Sequence, residues 1–197
     1  VHCLLAKRSG KKVICGDTGA GYAGQMLSLA AKKFGLKCKL LMGALDIKSQ
    51  RPNVEAMRQN GANIVPVTTG SQSLVDAVSE CMRYWVANCD KVAMCVGSTV
   101  GPAVFVRICG WSTSQISREL KTQLVDEFGS VPKKLKLYNC VGGGSSSFGF
   151  WNEFMDLDKK QCEFIGVEAG GPAKSKKHAA PLTYGSKIGI LHGAAQY

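Results

Sequence analysis

The sequence predicts an α/β fold with a largely parallel sheet, and three observations support this prediction. Short apolar segments alternate with segments of helical periodicity along the chain. Loops rich in glycine follow several apolar segments, as in folds whose ligands bind at the carboxyl ends of parallel strands. The length of 197 residues, with 45% hydrophobic and 20% charged residues, suits one large or two small globular domains.

The first half of the chain predicts a regular alternation of helices and strands. Gly10 and Gly35 follow stretches of helical periodicity and are expected to end two helices, whereas Pro52 suits the first turn of another. Ser73 and Asp76 have the spacing of a capping box. The predicted helices are 1–8, 22–34, 52–61 and 71–85, the predicted strands are 13–15, 37–42, 63–67 and 92–96, and residues 16–21 form a loop.

The second half of the chain predicts the same alternation with less regular spacing. Ile116, Leu120 and Leu124 recur at helical intervals and predict one helix. The predicted strands are 135–141, 164–167 and 187–191, and a further helix is predicted over 148–155. From residue 170 onward Gly, Pro, Ala and Lys dominate, and little regular structure is expected there.

The chain is strongly basic, with 25 Lys and Arg against 14 Asp and Glu and a formal net charge of +11. Such a charge attracts anionic partners. The basic residues are scattered in short pairs, however, and form neither a long basic arm nor a pattern with interleaved aromatic residues. We therefore expect a solvated basic surface and no nucleic-acid binding. No apolar run approaches the length of a membrane span, so we expect no membrane association.

The nine cysteines and three histidines show no metal-site pattern. No two cysteines have the spacing C-x-x-C, which argues against zinc ribbons and thioredoxin chemistry. His2, His178 and His192 share no metal-ligand spacing, so we expect no metal site. An odd number of cysteines, most of them in apolar segments, indicates buried free thiols in a reducing compartment, and we expect the cytoplasm.

The segment 141–147, Val-Gly-Gly-Gly-Ser-Ser-Ser, is the clearest candidate for a binding loop. It follows an apolar strand and precedes a predicted helix. Glycines allow the backbone to approach an anion, and unpaired amides at a helix start donate to phosphate oxygens together with serine hydroxyls. The alternative is a flexible turn between a strand and a helix. Three consecutive glycines at this place favour the phosphate site.

The segment 17–24 is a second glycine loop after a strand. Gly19, Gly21 and Gly24 match the dinucleotide pattern G-x-G-x-x-G, but the nearest acid, Asp46, lies beyond the end of the next strand. The same loop suits a carboxylate, bound by backbone amides and a threonine hydroxyl, with the adjacent aspartate transferring protons. A tight turn with this aspartate as a helix cap is the third interpretation.

Two further loops follow predicted strands. Residues 97–102 contain Ser98, and residues 166–171 contain Glu168 at the end of a strand. Taken singly, both loops have the composition of ordinary turns. Glu168 is a candidate for a polar contact with the ring of a ligand.

Several short segments occur in a fixed order and spacing that covers nearly the whole chain. They are LLAKR (4–8), DTGAG (17–21), PNV (52–54), Met57, GA (61–62), GP (101–102), CVGGGS (140–145) and GVE (166–168). Together they resemble the β subunit of tryptophan synthase. The spacing of residues 50–54 against the two glycine loops favours this family over cysteine synthase and threonine dehydratase, which share its cofactor fold.

The resemblance implies a pyridoxal-phosphate enzyme with the tryptophan synthase β-like fold, two α/β lobes with mostly parallel sheets, of which the second is incomplete here. It implies condensation of L-serine, by way of an aminoacrylate, with indole to give L-tryptophan. It also implies a tryptophan synthase α subunit as partner and a homodimer of β chains. Residues 1–10 would then end a helix of the first lobe, 11–97 would form a mobile domain that closes on substrate and docks the α subunit, and 98–197 would form part of the cofactor-binding lobe.

The resemblance also assigns roles to individual residues. The cofactor-binding residues are Gly142, Gly143, Gly144, Ser145, Ser146, Ser98 and Glu168, the last of them beside the cofactor ring. The residues of the substrate-carboxylate loop are Thr18, Gly19, Ala20, Gly21, Tyr22 and Ala23. The catalytic carboxylate falls on Asp17.

The chain departs from the family pattern at several of these positions. The family has glutamate where Asp17 stands, and glutamine and histidine where Tyr22 and Ala23 stand. It has asparagine in place of Ser146, and His-Pro in place of residues 103–104. These changes remove polar contacts to substrate and cofactor.

Val1 is not a start methionine, and it opens a helical stretch. The family's Schiff-base lysine lies just upstream of this position, so we expect an internal fragment that lacks the lysine and is inactive alone. Two alternatives stay open. One is a catalytically degenerate paralogue that acts as a binding partner, and the other is an oxidoreductase that binds a dinucleotide at the G-x-G-x-x-G loop.

Overall fold

The computed structural model describes residues 1–99, 101, 103–171, 178, 180–192 and 194–196. They form two compact units, Val1–Val96 and Gly97–Tyr197. Strands alternate with helices in both units, and each unit contains a parallel sheet. This architecture confirms the predicted α/β class.

The first unit is built on a four-stranded parallel sheet. Its helices are α1 His2–Arg8, α2 Tyr22–Phe34, α3 Ala44–Ser49, α4 Arg51–Gln59 and α5 Leu74–Val86. Its strands are β1 Val13–Thr18, β2 Lys37–Gly43, β3 Asn63–Val67 and β4 Val92–Met94, in the order β3-β2-β1-β4. Since β1 is an inner strand, the loop that follows it lies within the carboxyl edge of the sheet, where ligands bind in such folds.

Both faces of this sheet are buried. Successive side chains of a strand point to opposite faces. Ile14 of β1 packs in a cluster with residues of α1, α2 and α4. Cys15, the next residue, points to the other face and packs in a second cluster with Ala77 and Cys81 of α5. Burial on both faces is typical of parallel sheets and explains the continuous apolar runs of the sequence.

The main correction in the first unit is the length of β1. The strand continues through Gly16, Asp17 and Thr18, which the sequence analysis places in a loop. Its pairing with β2 extends to Thr18 opposite Met42. A Cβ at Gly16 would lie 2.6 Å from Leu27 Cδ2, so a larger residue here would displace the Leu27 side chain of α2 from the strand. In addition, α3 is absent from the prediction, and β4 ends earlier than predicted.

The predicted capping box at the start of α5 does not form in full. Ser73 is the N-cap residue but makes no side-chain cap hydrogen bond, and its hydroxyl lies 2.7 Å from that of Ser71. Asp76 accepts hydrogen bonds from the hydroxyl of Ser71 at 2.5 Å and from its backbone N–H at 2.8 Å. The Ser71 hydroxyl, aided by backbone amides, outweighs desolvation and lowers the pKa of Asp76 below its ordinary value.

The second unit contains a two-stranded parallel sheet and a core of Leu137, Phe154 and Cys162. Its helices are α6 Ala103–Thr113, α7 Gln115–Phe128, α8 Ser145–Trp151 and α9 Pro181–Tyr184, with a 3₁₀ turn Asn152–Phe154 after α8. Its strands are β5 Leu135–Cys140 and β6 Cys162–Val167, which pair in parallel, and β7 Gly189–Leu191 and β8 Ala194–Gln196, which pair antiparallel. Within the described residues of both units, none of the helices has the length and apolar character needed to cross a membrane.

Helices of the second unit differ from the prediction in two ways. Helix α6 is not predicted from the sequence, because apolar residues lie on several sides of this helix and give no clear periodicity. Helix α8 begins at Ser145 rather than at residue 148. Phe148 N donates to Gly144 O at 2.9 Å and closes the first turn, so the serines of the glycine loop are already helical.

Burial divides the nine free cysteines into two classes. Cys89 and Cys140 are exposed, and the others are buried. The hydrogen bond with the Cys95 thiol lowers the pKa of Cys3 to about 7, yet Cys3 is only 3% exposed. Because a thiol reagent must reach the sulfur, access rather than thiolate content should decide which cysteines react first.

We expect Cys89 and Cys140 to react with an aromatic disulfide reagent in a fast phase, and the buried cysteines, Cys3 included, to react only on unfolding. The absorbance of the released thiol measures the size of the fast phase. Cys89→Ser and Cys140→Ser should each halve it. A fast phase that contains Cys3 would contradict the burial described above.

Candidate active site

The first glycine loop joins β1 to α2 at the carboxyl edge of the sheet. Gly21 is the N-cap residue of α2 and has a φ of 96°, in the left-handed region that favours glycine. Gln25 N donates to Gly21 O at 2.9 Å and closes the first turn. The first amides of this 13-residue helix therefore have no intrahelical acceptor, and together with the helix dipole they favour an anion.

The structure gives different surroundings to the residues predicted for the substrate carboxylate. Thr18 is 2% exposed, and its Oγ1 accepts a hydrogen bond from Gly24 N at 3.3 Å. The threonine therefore serves the first turn of α2. Ala20, Tyr22 and Ala23 are exposed, and the side chain of Tyr22 extends into solvent with 74% exposure. What the loop offers to a ligand is thus mainly its backbone and the exposed first turn of α2.

Asp17 stands one residue before the end of β1 and is half-buried. It pairs with Leu41 of β2, and strand alternation puts it on the same face as Cys15, which packs against α5. Its charge helps to raise the pKa of Cys81 on α5, after the larger effects of the Cys15 thiol and of burial. A carboxylate therefore lies at the carboxyl end of an inner strand, on the α5 side of the sheet.

Asn53 of α4 contacts the first glycine loop. Its Nδ2 donates to the carbonyl oxygen of Ala20 at 2.8 Å, and its Oδ1 accepts from Gln25 Nε2 of α2 at 2.6 Å. A Cβ at Gly21 would lie 2.5 Å from Asn53 Cβ, so the loop rests directly on this side chain. In the sequence Asn53 stands out only as part of a family motif, because a contact across 33 residues leaves no local pattern.

The second glycine loop joins β5 to α8. Gly144 is the N-cap residue of α8 and has a φ of 86°. Gly142 and Gly143 are exposed, and Ser145 and Ser146 stand in the first helical turn. The amides of this turn have no intrahelical acceptor. The loop therefore presents glycine backbone, helical amides and serine hydroxyls together, which is the donor set expected for a phosphate group.

Two hydroxyl side chains contact the carbonyl oxygen of Gly143. Ser98 Oγ donates to it at 3.4 Å, and Thr99 Oγ1 donates to it as well. A Cβ at Gly144 would lie 2.7 Å from Thr99 Oγ1, so a larger residue here would displace the Thr99 hydroxyl that donates to Gly143 O. The structure thus puts Ser98, predicted as a cofactor contact, beside the predicted phosphate loop. Thr99 is a further neighbour, which is not among the predicted site residues.

Asn139 near the end of β5 lies beside the position where the family has asparagine. Its Nδ2 donates to Ser146 Oγ at 3.0 Å and is 3.4 Å from Ser147 Oγ. Ser147 Oγ in turn donates to Cys140 O at 3.2 Å. An amide side chain is therefore present next to Ser146, although it comes from the strand. The sequence gives no signal for this contact, because Asn139 lies inside an apolar segment.

Glu168 follows β6, and its carboxylate caps α9. Oε1 accepts from Leu182 N at 3.2 Å, and Oε2 accepts from the backbone N–H and the hydroxyl of Thr183, both at 2.7 Å. Desolvation acts to raise the pKa of Glu168, but these hydrogen bonds and the nearby His178 outweigh it and lower the pKa below its ordinary value. Glu168 is therefore an oriented carboxylate ion at neutral pH.

The predicted site residues fall into two groups, one in each unit. Residues 17–23 belong to the first unit, and Ser98, residues 142–146 and Glu168 belong to the second. Asp46, the acid required by the dinucleotide interpretation, lies on α3 and not at the end of β2. Across the part of the chain that the structure describes, no group of three or more His, Cys, Asp or Glu is placed to hold a metal ion.

The chain belongs to the family of pyridoxal-phosphate dependent enzymes, whose model matches residues 1–188. Among solved structures, the apo form of Escherichia coli diaminopropionate ammonia lyase matches with a TM-score of 0.64 and 18% identity, over 83% of this chain and 45% of that one. The complex of the same enzyme with D-serine matches with a TM-score of 0.63 and 19% identity. This match covers 81% of this chain and 38% of that one. At this identity the likeness shows the fold alone, and it confirms the predicted fold class.

The sequence relatives of the chain include tryptophan synthase beta chains. The chain is 40% identical over 197 residues to the tryptophan synthase beta chain of Chromobacterium violaceum. This match covers 100% of this chain and 48% of that protein. It is 44% identical over 195 residues to the tryptophan synthase beta chain of Pseudomonas syringae pv. syringae. This match covers 98% of this chain and 46% of that protein. The resemblance inferred from the motifs is thereby confirmed. The chain spans about half the length of these relatives.

Thr183→Val should raise the pKa of Glu168 toward its ordinary value of 4.5, because it removes the hydroxyl donor at 2.7 Å. A carboxyl group whose pKa is lowered on folding stabilises the fold fully above its unfolded pKa, and this stabilisation is lost as the pH falls through the folded pKa. An NMR titration of the Glu168 carboxyl carbon measures the pKa directly.

Thr122→Val is the matched control for this titration. Thr122 Oγ1 donates to Arg118 O within α7, so its removal should leave the pKa of Glu168 at the wild-type value. Equal pKa values of Glu168 in Thr183→Val and in the wild type would contradict the capping role of this carboxylate.

Proposed function

We propose that the protein with this chain is a lyase of the tryptophan synthase β type, which condenses L-serine with indole to give L-tryptophan. The observation that carries the proposal is the pair of glycine loops, each placed where a parallel strand leads into a helix. A cofactor phosphate and a substrate carboxylate are both anions, so two such loops suit this chemistry. The 40% identity with tryptophan synthase beta chains over all 197 residues supports the same assignment.

The second glycine loop fits the phosphate of pyridoxal 5'-phosphate. A Cβ at Gly142 would have no neighbour within 4 Å, so the loop backbone is open on that side. Ser145, Ser146 and the amides at the start of α8 would donate to the phosphate oxygens. When bound, pyridoxal phosphate supplies an electron sink for reactions at the α and β carbons of an amino acid.

The first glycine loop fits the carboxylate of L-serine. Gly19, Ala20 and Gly21 precede α2, and the amides of Tyr22 and Ala23 lie in its first turn, where the helix dipole favours a negative charge. Backbone donors bind a carboxylate without using a charged side chain. The loop would therefore bind and orient the amino acid, and proton transfer would fall to a separate side chain.

Asp17 is the proposed catalytic acid–base group. When carbon 3 of indole attacks as a nucleophile, positive charge develops on the ring, and a nearby carboxylate stabilises that charge and takes up the proton that is lost. Asp17 is half-buried at the end of β1, which limits its contact with water. Its side chain is one methylene shorter than the glutamate of the family, so we expect a lower rate than in relatives with glutamate.

The proposal also includes the protein's partners and its cellular compartment. The name of the sequence relatives, tryptophan synthase beta chain, points to an α subunit as partner. We propose that residues 11–97 act as the mobile domain that docks this subunit, and that two β chains form a homodimer. The nine free thiols support a reducing compartment, the cytoplasm.

A catalytically degenerate paralogue that retains the fold and binds a partner is the second candidate function. Tyr22 and Ala23 stand where the family has glutamine and histidine, and both are exposed in the first turn of α2. This turn therefore lacks two polar side chains that would contact a substrate. Turnover of L-serine and indole separates the two candidates.

The test is tryptophan formation by the full-length protein with pyridoxal phosphate, L-serine and indole, in the presence and absence of an α subunit. We expect product from the wild type. Asp17→Asn should lower kcat by about 100-fold or more, because the amide cannot take up a proton. Asp17→Glu should retain activity, since it restores the family's side chain.

Asp156→Asn serves as the control, because Asp156 is an exposed residue of the second unit far along the chain from Asp17. Its kcat should equal that of the wild type. Retained binding of pyridoxal phosphate with no tryptophan formed under either condition would overturn the enzymatic proposal and favour the degenerate paralogue.

A further inference from the structure

The side chain of Asn53 uses all of its polar groups in contacts around the first glycine loop. Nδ2 donates to Ala20 O at 2.8 Å and to Gln50 Oε1 at 2.9 Å, and Oδ1 accepts from Gln25 Nε2 at 2.6 Å. Asn53 stands in the first turn of α4 and is half-buried. One amide therefore links α4, α2 and the loop.

The chemistry of these partners requires an amide at position 53. Ala20 O is a backbone carbonyl and can only accept, so the side chain at position 53 must present a donor to it, whereas the side-chain amides of Gln50 and Gln25 can rotate to present either a donor or an acceptor. Aspartate has the same shape but presents a negative oxygen to Ala20 O. Alanine leaves Ala20 O without this donor. Neither residue can replace the function of asparagine.

Holding Ala20 O fixes the direction of the amide that follows it. In a trans peptide the C=O and N–H groups point in opposite directions, so a carbonyl directed at α4 turns the N–H of Gly21 away from α4. Gly21 has a φ of 96°, and a Cβ there would lie 2.5 Å from Asn53 Cβ. The loop can lie this close to Asn53 only with glycine at position 21.

We propose that Asn53 is a positioning residue that orients the backbone amides of residues 19–22 for the carboxylate of the amino-acid substrate. It acts through Ala20 O and does not itself touch the substrate. The substrate named here rests on the proposed function, whereas the ordering of the loop by Asn53 does not.

Asn60 provides the matched control. It caps the other end of α4, and its Nδ2 donates to Ser28 Oγ of α2 at 3.1 Å. Asn60 therefore joins the same two helices with the same functional group, but its amide donates to Ser28 and not to the glycine loop. A role of Asn53 in helix packing alone predicts equal effects for Asn53→Ala and Asn60→Ala.

The experiment compares the full-length wild type with Asn53→Ala, Asn53→Asp and Asn60→Ala. Amide hydrogen exchange of Gly21 and Tyr22, followed by NMR, should be about tenfold faster in both Asn53 variants, as expected for loss of one hydrogen bond that orders the loop. It should be unchanged in Asn60→Ala. In the holoenzyme, the KM for L-serine should rise about tenfold in the Asn53 variants, while the KM for indole stays at the wild-type value.

Asn53→Asp keeps the side-chain shape, so it decides the question if Asn53→Ala fails to fold. Exchange rates of Gly21 and Tyr22 that are equal in the wild type and the Asn53 variants would overturn the ordering role. Faster exchange with an unchanged KM for L-serine would overturn the link to the substrate. A wild type with no turnover would count against the proposed function alone, because the exchange comparison needs no substrate.

Discussion

Both glycine loops depend on a backbone carbonyl that a side chain from another segment holds by a hydrogen bond. In the first unit Asn53 holds Ala20 O, and in the second unit Thr99 holds Gly143 O. Because C=O and N–H point in opposite directions in a trans peptide, each hydrogen bond also sets the direction of the next amide. In both loops the next residue is a glycine with positive φ at the start of a helix. The amides that we propose to bind anions are thus held in a fixed direction by the fold itself, which is the condition for electrostatic stabilisation without reorganisation.

The basic charge of the chain is not what distinguishes the second glycine loop. Lys133 and Lys134 precede β5, and Lys159 and Lys160 precede β6, so these lysines lie at the amino ends of the two parallel strands. Two open cavities of about 510 and 610 Å³ are lined by them. The glycine loop follows the carboxyl end of β5, at the opposite edge of the sheet. The proposed phosphate site therefore relies on backbone amides and hydroxyls and not on these four lysines, which lie at the other edge.

Helices and strands whose ends are marked by nearby residues, such as a capping glycine, are predicted well by the sequence. The bounds of α2 and β3 agree with the prediction to the residue, since Gly21 and Gly35 cap α2 at its two ends. Helix α6 depends instead on packing between helices, because a Cβ at Gly149 of α8 would lie 2.5 Å from Thr113 Cβ of α6. The glycine loops are visible in composition, but the residues that hold them are 33 and 44 positions away along the chain. Only the folded structure brings those residues together.

The most direct test of this account is the affinity for pyridoxal 5'-phosphate of two glycine variants, measured by calorimetric titration. Gly144→Ala places a Cβ 2.7 Å from Thr99 Oγ1 at the phosphate loop, whereas Gly129→Ala has a similar positive φ of 73° and no neighbour within 4 Å. Both variants carry similar backbone strain from the positive φ, and Gly144→Ala adds the close contact with Thr99, so stability should fall in both and further in Gly144→Ala. We predict at least about tenfold weaker binding for Gly144→Ala, consistent with loss of an oriented donor set, and wild-type binding for Gly129→Ala. Equal affinities of the two variants would contradict the assignment of the cofactor phosphate to this loop.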